Sequence, residues 1–105
     1  MARFDVHANP GRHADSTPYL LDVQSDLLDG LESCIVIPLR RRDRFPAVAL
    51  ADRLSPTLSI AGAEFILETP KMGAVPRRAL GAPLLSLAAE RARVTAAMDF
   101  VFRGF

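Results

Sequence analysis

The chain has 105 residues, of which half are hydrophobic and 24% are charged, and its formal net charge is +1. This length predicts one domain, residues 1–105, with a modest hydrophobic core, and this composition excludes a disordered chain. A net charge so close to zero gives no argument for a nucleic-acid or membrane partner. There is no membrane-length apolar run, no signal-peptide core and only one cysteine, so we expect a cytoplasmic protein without an internal disulfide.

The first half of the chain predicts three strands. Residues 4–8 alternate between apolar and polar side chains, as in a half-buried strand, and a second strand is expected at Tyr19–Val23. The segment between them, Asn9–Pro18, is rich in turn residues and predicts an exposed loop. Cys34–Ile37 is a continuous apolar run, typical of a central strand covered on both faces, and we expect Pro38 to end its hydrogen-bond ladder.

The middle of the chain predicts a charged loop followed by a hairpin. Arg40–Arg44 is the chain's charge run and is expected to be a solvated loop. A short strand is predicted at Ala47–Ala51. Thr57–Ala61 and Ala63–Glu68 then flank a single glycine, which indicates a β-hairpin.

The last part of the chain predicts a loop and then a helix. Lys71–Pro83 is rich in glycine and proline, whereas Pro83–Phe102 has no further glycine or proline and alanine is its commonest residue. At 100° per residue the helix carries an apolar stripe, broken by Arg91, and a second apolar side opposite. We therefore expect one side to pack on the sheet and the other on a second subunit or a partner. The stripe contains Leu84, Leu87, Val94, Met98 and Val101, and the opposite side contains Ala89, Ala92, Ala96 and Phe100.

Several strands followed by one terminal helix predict an α+β fold, in which an antiparallel, barrel-like sheet packs against the helix. The chain then ends with Phe102–Phe105, which includes two aromatic residues. Termini are normally polar, so this ending suggests a contact surface.

The sequence predicts no catalytic or metal site. His7 lies in a predicted strand and His13 in a predicted loop, and neither has ligand spacing to a cysteine or a carboxylate. Cys34 lies in the most apolar stretch, where a thiol is usually inert. There is no glycine-rich phosphate loop, and we expect no cofactor.

Two polar clusters each have two interpretations. Asp22, Asp26 and Asp29 are either a carboxylate cluster or turn and cap residues around Ser25, and residue preference favours the second. The run Arg40–Arg44 could contact phosphates, especially those of RNA. No aromatic residues are interleaved there to stack on bases, so a solvated loop is favoured.

The segment Leu20–Asp29 resembles the CcdB family of toxins. Its Asp22–Asp26 string, DVQSD, is the family's own, and two aliphatic residues and an aspartate follow it in the family manner. Val36–Leu39 then recurs at the family's distance, and the likeness covers essentially the whole chain, with a longer loop at Asn9–Pro18. Other positions that keep register are Leu54, Pro56, Ile60, Met72, Val75, Pro76, Gly81, Leu87, Phe102 and Gly104.

This resemblance implies a homodimer of an SH3-like barrel with a small additional sheet and a C-terminal helix. It also implies a toxin without a catalytic centre, which enters the gap of the gyrase A subunits and holds the covalently cleaved DNA complex open. A CcdA-like antitoxin with a flexible tail would neutralise it. Nucleic acid would be contacted only through gyrase or the antitoxin, and no membrane is implied.

The resemblance also implies which residues contact the target. Asp99 stands where the family usually has asparagine, and Arg103 replaces a tryptophan that stacks on an arginine of gyrase. Gly104 matches the family and would allow close backbone approach. For Met98 and Phe100 the alternative is packing at the dimer interface. The implied target-contacting residues are Leu27, Leu28, Asp99, Phe102, Arg103, Gly104 and Phe105.

Three functional hypotheses follow. The first is a gyrase-binding toxin. The second is a ribonuclease of the MazF/Kid type, which would need Arg40–Arg44 on a concave face beside an acid or base such as Asp43 or His7. The third is a non-toxic homologue that retains antitoxin binding, because Arg103 has removed the gyrase contact.

Overall fold

The computed structural model describes residues 2–45 and 52–104. They form an antiparallel sheet in the order β4-β5-β3-β2-β1-β7, with β6 paired to β3, and a C-terminal helix. The strands are β1 Asp5–Ala8, β2 Tyr19–Asp22, β3 Ser33–Arg41, β4 Thr57–Ile60, β5 Ala63–Leu67, β6 Gly73–Pro76 and β7 Leu85–Ser86, and the helix α1 is Arg91–Arg103.

Strand β3 is the centre of the sheet. Along one edge it pairs with β2, and along the other it pairs first with β6, where Cys34 lies opposite Val75, and then with β5, where Leu39 lies opposite Leu67. A strand with two different partners on one edge must bend between them, so the sheet curls around its core. The predicted α+β fold with a barrel-like antiparallel sheet is confirmed.

The prediction that Pro38 ends the central strand is wrong. Strand β3 continues through Pro38 to Arg41, so Arg40 and Arg41 belong to a strand, and only Arg42–Arg44 form a short 3-10 helix. Pro38 lies between the residues that pair with β6 and those that pair with β5. At that position the missing N–H interrupts neither ladder, because proline is tolerated where no donor is required.

The predicted Lys71–Pro83 loop is also partly wrong, because Gly73–Pro76 forms β6 and Arg77–Ala79 forms a 3-10 helix. This short strand has no clear sequence pattern of its own and exists through its pairing with β3. The predicted hairpin is confirmed. Its turn residues Ala61 and Gly62 have φ of 51° and 84°, as a type I′ turn requires.

The terminal helix begins at Arg91, eight residues later than predicted. The N–H of Leu84 donates to the carbonyl of Val6 at 2.8 Å, and the N–H of Leu87 donates to that of Phe4 at 2.8 Å, so the intervening residues form β7 beside β1. Tertiary pairing here overrides helix propensity. Leu84 is therefore not on the helix stripe, and its side chain is 55% exposed.

The core lies between the concave face of the sheet and α1. From the helix side it receives Val94 and Ala97, and it also receives Leu87, which directly follows β7. A second cluster on the other sheet face contains Leu20, Cys34, Val36 and Leu80, so β3 is covered on both faces as predicted. The main sheet residues of the core are Val6, Leu21, Ile37, Leu39, Leu58, Phe65 and Leu67.

The predicted strand Ala47–Ala51 lies outside the described residues.

On α1, Met98 and Val101 are half-buried, whereas Ala92 and Ala96 of the opposite side are exposed. The helix thus packs one side on the sheet and leaves small apolar residues on its outer side.

Candidate target-binding site

The residues that connect β2 to β3, 23–32, form a loop that we call the Leu27 loop. The Oδ1 of Asp22 accepts the N–H of Gln24 at 2.9 Å, and the Oγ of Ser25 accepts the N–H of Leu27 at 3.2 Å, which caps a short 3-10 helix. The Oδ1 of Asp26 accepts the N–H of Arg3 at 2.7 Å. Asp22 and Asp26 thus accept backbone hydrogens, as the prediction of turn and cap residues expects, whereas the carboxylate of Asp29 pairs with the side chain of Arg77.

Gln24 is the buried residue that joins the two ends of this loop. Its Nε2 donates to the carbonyls of Leu28, at 3.3 Å, and Ser33, at 3.1 Å, and its Oε1 accepts the N–H of Ile35 at 3.1 Å. Each polar atom of the amide therefore has a partner, as a buried amide requires. The DVQSD string thus acts as a local scaffold for the residues that follow it.

This scaffold presents aliphatic side chains to solvent. Leu27 is 94% exposed, and Leu28 and Leu31 are exposed as well. Burying one leucine would stabilise the fold by about 1.5–3 kcal/mol, so several exposed leucines on one ordered loop are typical of a contact surface. Leu31 was not predicted as a site residue. The feature that could have identified it is an apolar side chain within a predicted turn.

The end of α1, residues 99–104, is the second predicted contact region, and we call it the helix end. Phe102 is 70% exposed, and Asp99 and Arg103 are exposed too. Gly104 has φ of 78°, and its N–H donates to the carbonyl of Phe100 at 2.9 Å, so it ends the helix in a left-handed conformation. This local role is sufficient to require glycine there, and close approach of a partner stays a prediction.

The remaining predicted residues have mixed surroundings. Met98 is half-buried and packs against the main core. Phe100 is half-buried, and the guanidinium carbon of Arg53 lies 4.9 Å from the centre of its ring. Both side chains therefore have contacts within the chain, and their place at a dimer interface stays a prediction. Phe105 lies outside the described residues.

The Leu27 loop and the segment that leads into α1 are attached to adjacent residues just before β1. Arg3 donates its N–H to Asp26 of the Leu27 loop, whereas the carbonyl of Phe4 accepts from Leu87 at the approach to α1. Arg3 also donates through Nε to the carbonyl of Val23 at 3.1 Å. Residues 3 and 4 thus tie the Leu27 loop and the approach to α1 to the same sheet, whereas the helix end lies at the far end of α1.

Cys34 is a fully buried core residue. Burial raises the pKa of its thiol from 9.0 to about 12, and the nearby Asp22 carboxylate adds to this shift. The thiol is therefore neutral at physiological pH and cannot act as a thiolate. The predicted place of Cys34 in the core is confirmed, and its lack of a nucleophilic role stays a prediction.

The arginine run contributes to a cleft of about 690 Å³. The Nη2 of Arg41 and the Oδ2 of Asp43 form an exposed ion pair at 3.3 Å, and the rings of Tyr19 and Phe65 meet edge to face with centroids 5.2 Å apart. Two arginines and two carboxylates line this cleft, so its side-chain charges balance. Its lining residues are Pro18, Tyr19, Arg41, Arg42, Asp43, Ala63, Glu64 and Phe65.

Within residues 2–45 and 52–104, no three histidine, cysteine or acidic side chains are grouped so that they could hold a metal ion. Over the same ranges, no helix has the length and apolarity that crossing a membrane requires.

The comparison with known protein families agrees with the family resemblance of the Leu27 loop and with the barrel-like sheet. The sequence model of one family, described as CcdB protein, matches residues 3–104. No curated protein matches the chain. Because the family match spans nearly the whole length, from two residues before β1 to the last residue of the helix end, the chain belongs to the CcdB family, the toxins of Ccd toxin–antitoxin systems.

Proposed function

We propose that this protein binds the A subunit of DNA gyrase and traps the cleaved DNA–gyrase complex, and that a CcdA-like antitoxin neutralises it. Family membership supports the toxin role. The observation that carries the gyrase-binding proposal is Leu27, which is 94% exposed on a loop held in place by the hydrogen bonds of the DVQSD string. The protein acts as a single domain and performs no chemistry of its own.

An ordered loop with exposed leucines suits a binding mechanism. Apolar side chains near the centre of an interface supply most of the binding free energy. A loop that is already fixed loses little conformational entropy when its partner binds. The Leu27 loop therefore offers Leu27 and Leu28 as anchors whose positions do not depend on the partner.

The helix end supplies the second contact. Phe102, at 70% exposure, is its most exposed apolar residue, and Asp99 and Arg103 flank it with opposite charges. Asp99 places a carboxylate where the family has an amide. Arg103 stands in place of the family tryptophan, and losing an aromatic anchor typically costs about 2 kcal/mol, or about thirtyfold in affinity.

A homodimer would present both regions twice, matching the twofold arrangement of the two gyrase A subunits. Ala92 and Ala96 on the outer side of α1 are small and exposed, so they allow a second helix to approach closely. Phe100 lies on the same side of α1 and is half-buried, so we place it beside that contact. Met98 lies on the stripe that faces the core, so we place it at the edge of the dimer interface.

The ribonuclease hypothesis is less well supported. Arg40 lies over the ring of Phe45, 5.3 Å from its centre, and 4.0 Å from the buried carboxylate of Glu68. Asp43 is paired with a neighbouring arginine, and His7 is fully buried with its Nδ1 2.9 Å from the carbonyl of Gly81. Asp43 therefore lies in the same cleft as Arg41 and Arg42 but with its carboxylate paired to Arg41, and His7 is buried away from that cleft, so neither is placed as an unpaired acid or base.

The experiment mixes purified protein with gyrase, ATP and supercoiled plasmid and measures linear, protein-linked DNA after detergent and protease treatment. We expect trapping that the cognate antitoxin reverses. No trapping at micromolar protein with intact antitoxin binding would favour the non-toxic homologue, and fragmentation of RNA without gyrase would favour the ribonuclease.

The same trapping assay tests the effect of Arg103, which stands in place of the family tryptophan. We expect Arg103→Trp to lower the protein concentration needed for half-maximal trapping by about tenfold with a gyrase that carries the usual arginine, because it restores an aromatic stacking partner. Arg91→Trp, at an exposed position at the start of α1, is the control. Equal effects of both changes would show that the helix end is not a specific contact.

A further inference from the structure

Arg77 follows β6 and contacts the Leu27 loop with both its backbone and its side chain. Its N–H donates to the carbonyl of Glu32 at 2.7 Å, and its Nε donates to the carbonyl of Leu31 at 2.9 Å. Its Nη1 forms an ion pair with the Oδ1 of Asp29 at 3.3 Å. One arginine from a distant part of the sequence thus contacts three residues of the loop.

These contacts fix the half of the loop that the DVQSD string does not reach. Gln24 binds the carbonyl of Leu28 from inside the protein, whereas Arg77 binds residues 29–32. The 3-10 helix Asp26–Leu28, with its exposed leucines, lies before the residues that Arg77 holds. A planar guanidinium can make both the carbonyl and the carboxylate contact at once, which a lysine ammonium cannot reproduce with the same geometry.

We propose that Arg77 is a positioning residue for target binding: it keeps the Leu27 loop in the conformation that presents Leu27 and Leu28 to the partner. This inference rests on the proposed function of that loop. The Arg77 side chain is only 20% exposed, so its own contact area for a partner is small. The Asp29 side chain is 58% exposed, and ion pairs this accessible contribute little to global stability. The main effect of Arg77 is therefore expected on binding.

The test measures the affinity of the full-length protein for the gyrase A subunit. We expect Arg77→Ala to weaken binding by about tenfold, because two hydrogen bonds that order the loop are lost. Arg77→Lys should retain the charge but recover less than half of that loss. The control is Arg78→Ala, at the adjacent exposed position, which should leave affinity unchanged. Unchanged affinity in Arg77→Ala, or an equal loss in Arg78→Ala, would overturn the inference.

A double-mutant cycle separates positioning from direct contact. If Arg77 acts through the loop, its loss should matter less once Leu27 is removed, so Arg77→Ala and Leu27→Ala together should weaken binding by less than the product of the single effects. Amide hydrogen exchange at Leu27 and Leu28 should also become faster in Arg77→Ala, with exchange in β2 unchanged. Additive effects with unchanged loop exchange would contradict positioning.

Two further variants keep the outcome interpretable. If Arg77→Ala does not fold, Asp29→Asn removes only the exposed ion pair and should still weaken binding by about twofold to threefold. No change in binding would count against the inference.

If Leu27→Asp leaves gyrase binding intact, the proposed function of the loop fails. If Leu27→Asp abolishes binding while Arg77→Ala does not weaken it, only the role of Arg77 fails.

Discussion

The Leu27 loop and the helix end both expose apolar side chains, but they are held in place in different ways. The helix end is shaped by repeating backbone hydrogen bonds and closed by Gly104, so its geometry is local. The Leu27 loop has only one short 3-10 helix and depends on Arg3, Gln24 and Arg77, which lie before it, at its start and far beyond it in the sequence. A single distant substitution can therefore disturb the loop, whereas the helix end is sensitive mainly to its own residues.

The largest expected effect comes from the most exposed residue of the loop. Leu27→Asp should weaken gyrase binding by at least about thirtyfold, because a charge would replace an apolar anchor at the interface. The thermal unfolding midpoint should hardly change, since Leu27 is 94% exposed. Titration calorimetry against the gyrase A subunit and a melting curve measure the two quantities.

The matched control for this prediction is Leu84→Asp. Leu84 is another exposed leucine, just before β7, and lies outside both contact regions. Its substitution should leave binding unchanged. If both variants bind equally weakly, nonspecific charge repulsion rather than the loop explains the loss.

The second prediction distinguishes the Leu27 loop from the helix end by their stability. Gln24→Ala should lower the free energy of unfolding by about 1–3 kcal/mol, because the carbonyls of Leu28 and Ser33 and the N–H of Ile35 lose their buried partner. Hydrogen exchange should accelerate in the Leu27 loop and leave the last turn of α1 unaffected. Equal acceleration in both regions would mean that the loop is not an independent unit.

The third effect concerns the helix end. Gly104→Ala should cost about 1 kcal/mol, because the residue at this position has a φ of 78°, which a side chain disfavours. Gly30→Ala is the control, since its Cβ would meet open space and its φ is not in the left-handed region. Denaturant unfolding of both variants measures the difference, and an equal cost would contradict the left-handed cap.

The smallest predicted effect is on the alkylation rate of Cys34, which measures opening of the sheet near the Leu27 loop. With the pKa of Cys34 at about 12, its alkylation rate in the folded protein should rise about tenfold per pH unit from pH 7 past 9, whereas in urea the rise should level off above 9.0. Gln24→Ala should increase the native rate, since Gln24 bonds to Ser33 and Ile35 on either side of Cys34. Levelling near pH 9 in native protein would show that the thiol is not buried.

The contrast between structure set by local residues and structure set by distant contacts also explains how much of the fold the sequence could predict. The hairpin, the central strand and the exposed leucines of the loop follow from local residue patterns and from the DVQSD string. The start of α1 at Arg91 does not, because residues 84–87 have helix-forming side chains but pair with β1. Continuation of β3 through Pro38 depends on the gap between β6 and β5, which no local pattern reveals.

The candidate site shows the same limit. Leu27, Leu28, Asp99 and Phe102–Gly104 could be named from the resemblance, and the structure shows these residues exposed. Arg77 could not be found, because it contacts the loop across more than forty intervening residues and an arginine before a short turn carries no signal of its own. The part of the site that depends on tertiary contacts was therefore invisible in the sequence.

The central claim is that the Leu27 loop and the helix end together form the target-binding surface. Hydrogen exchange of the protein with and without the gyrase A subunit tests it most directly. We predict slower exchange at residues 26–32 and 100–104 in the complex, with no change at Arg41 and Arg42 of the cleft. Protection confined to the cleft, with both apolar regions exchanging as in the free protein, would contradict the claim.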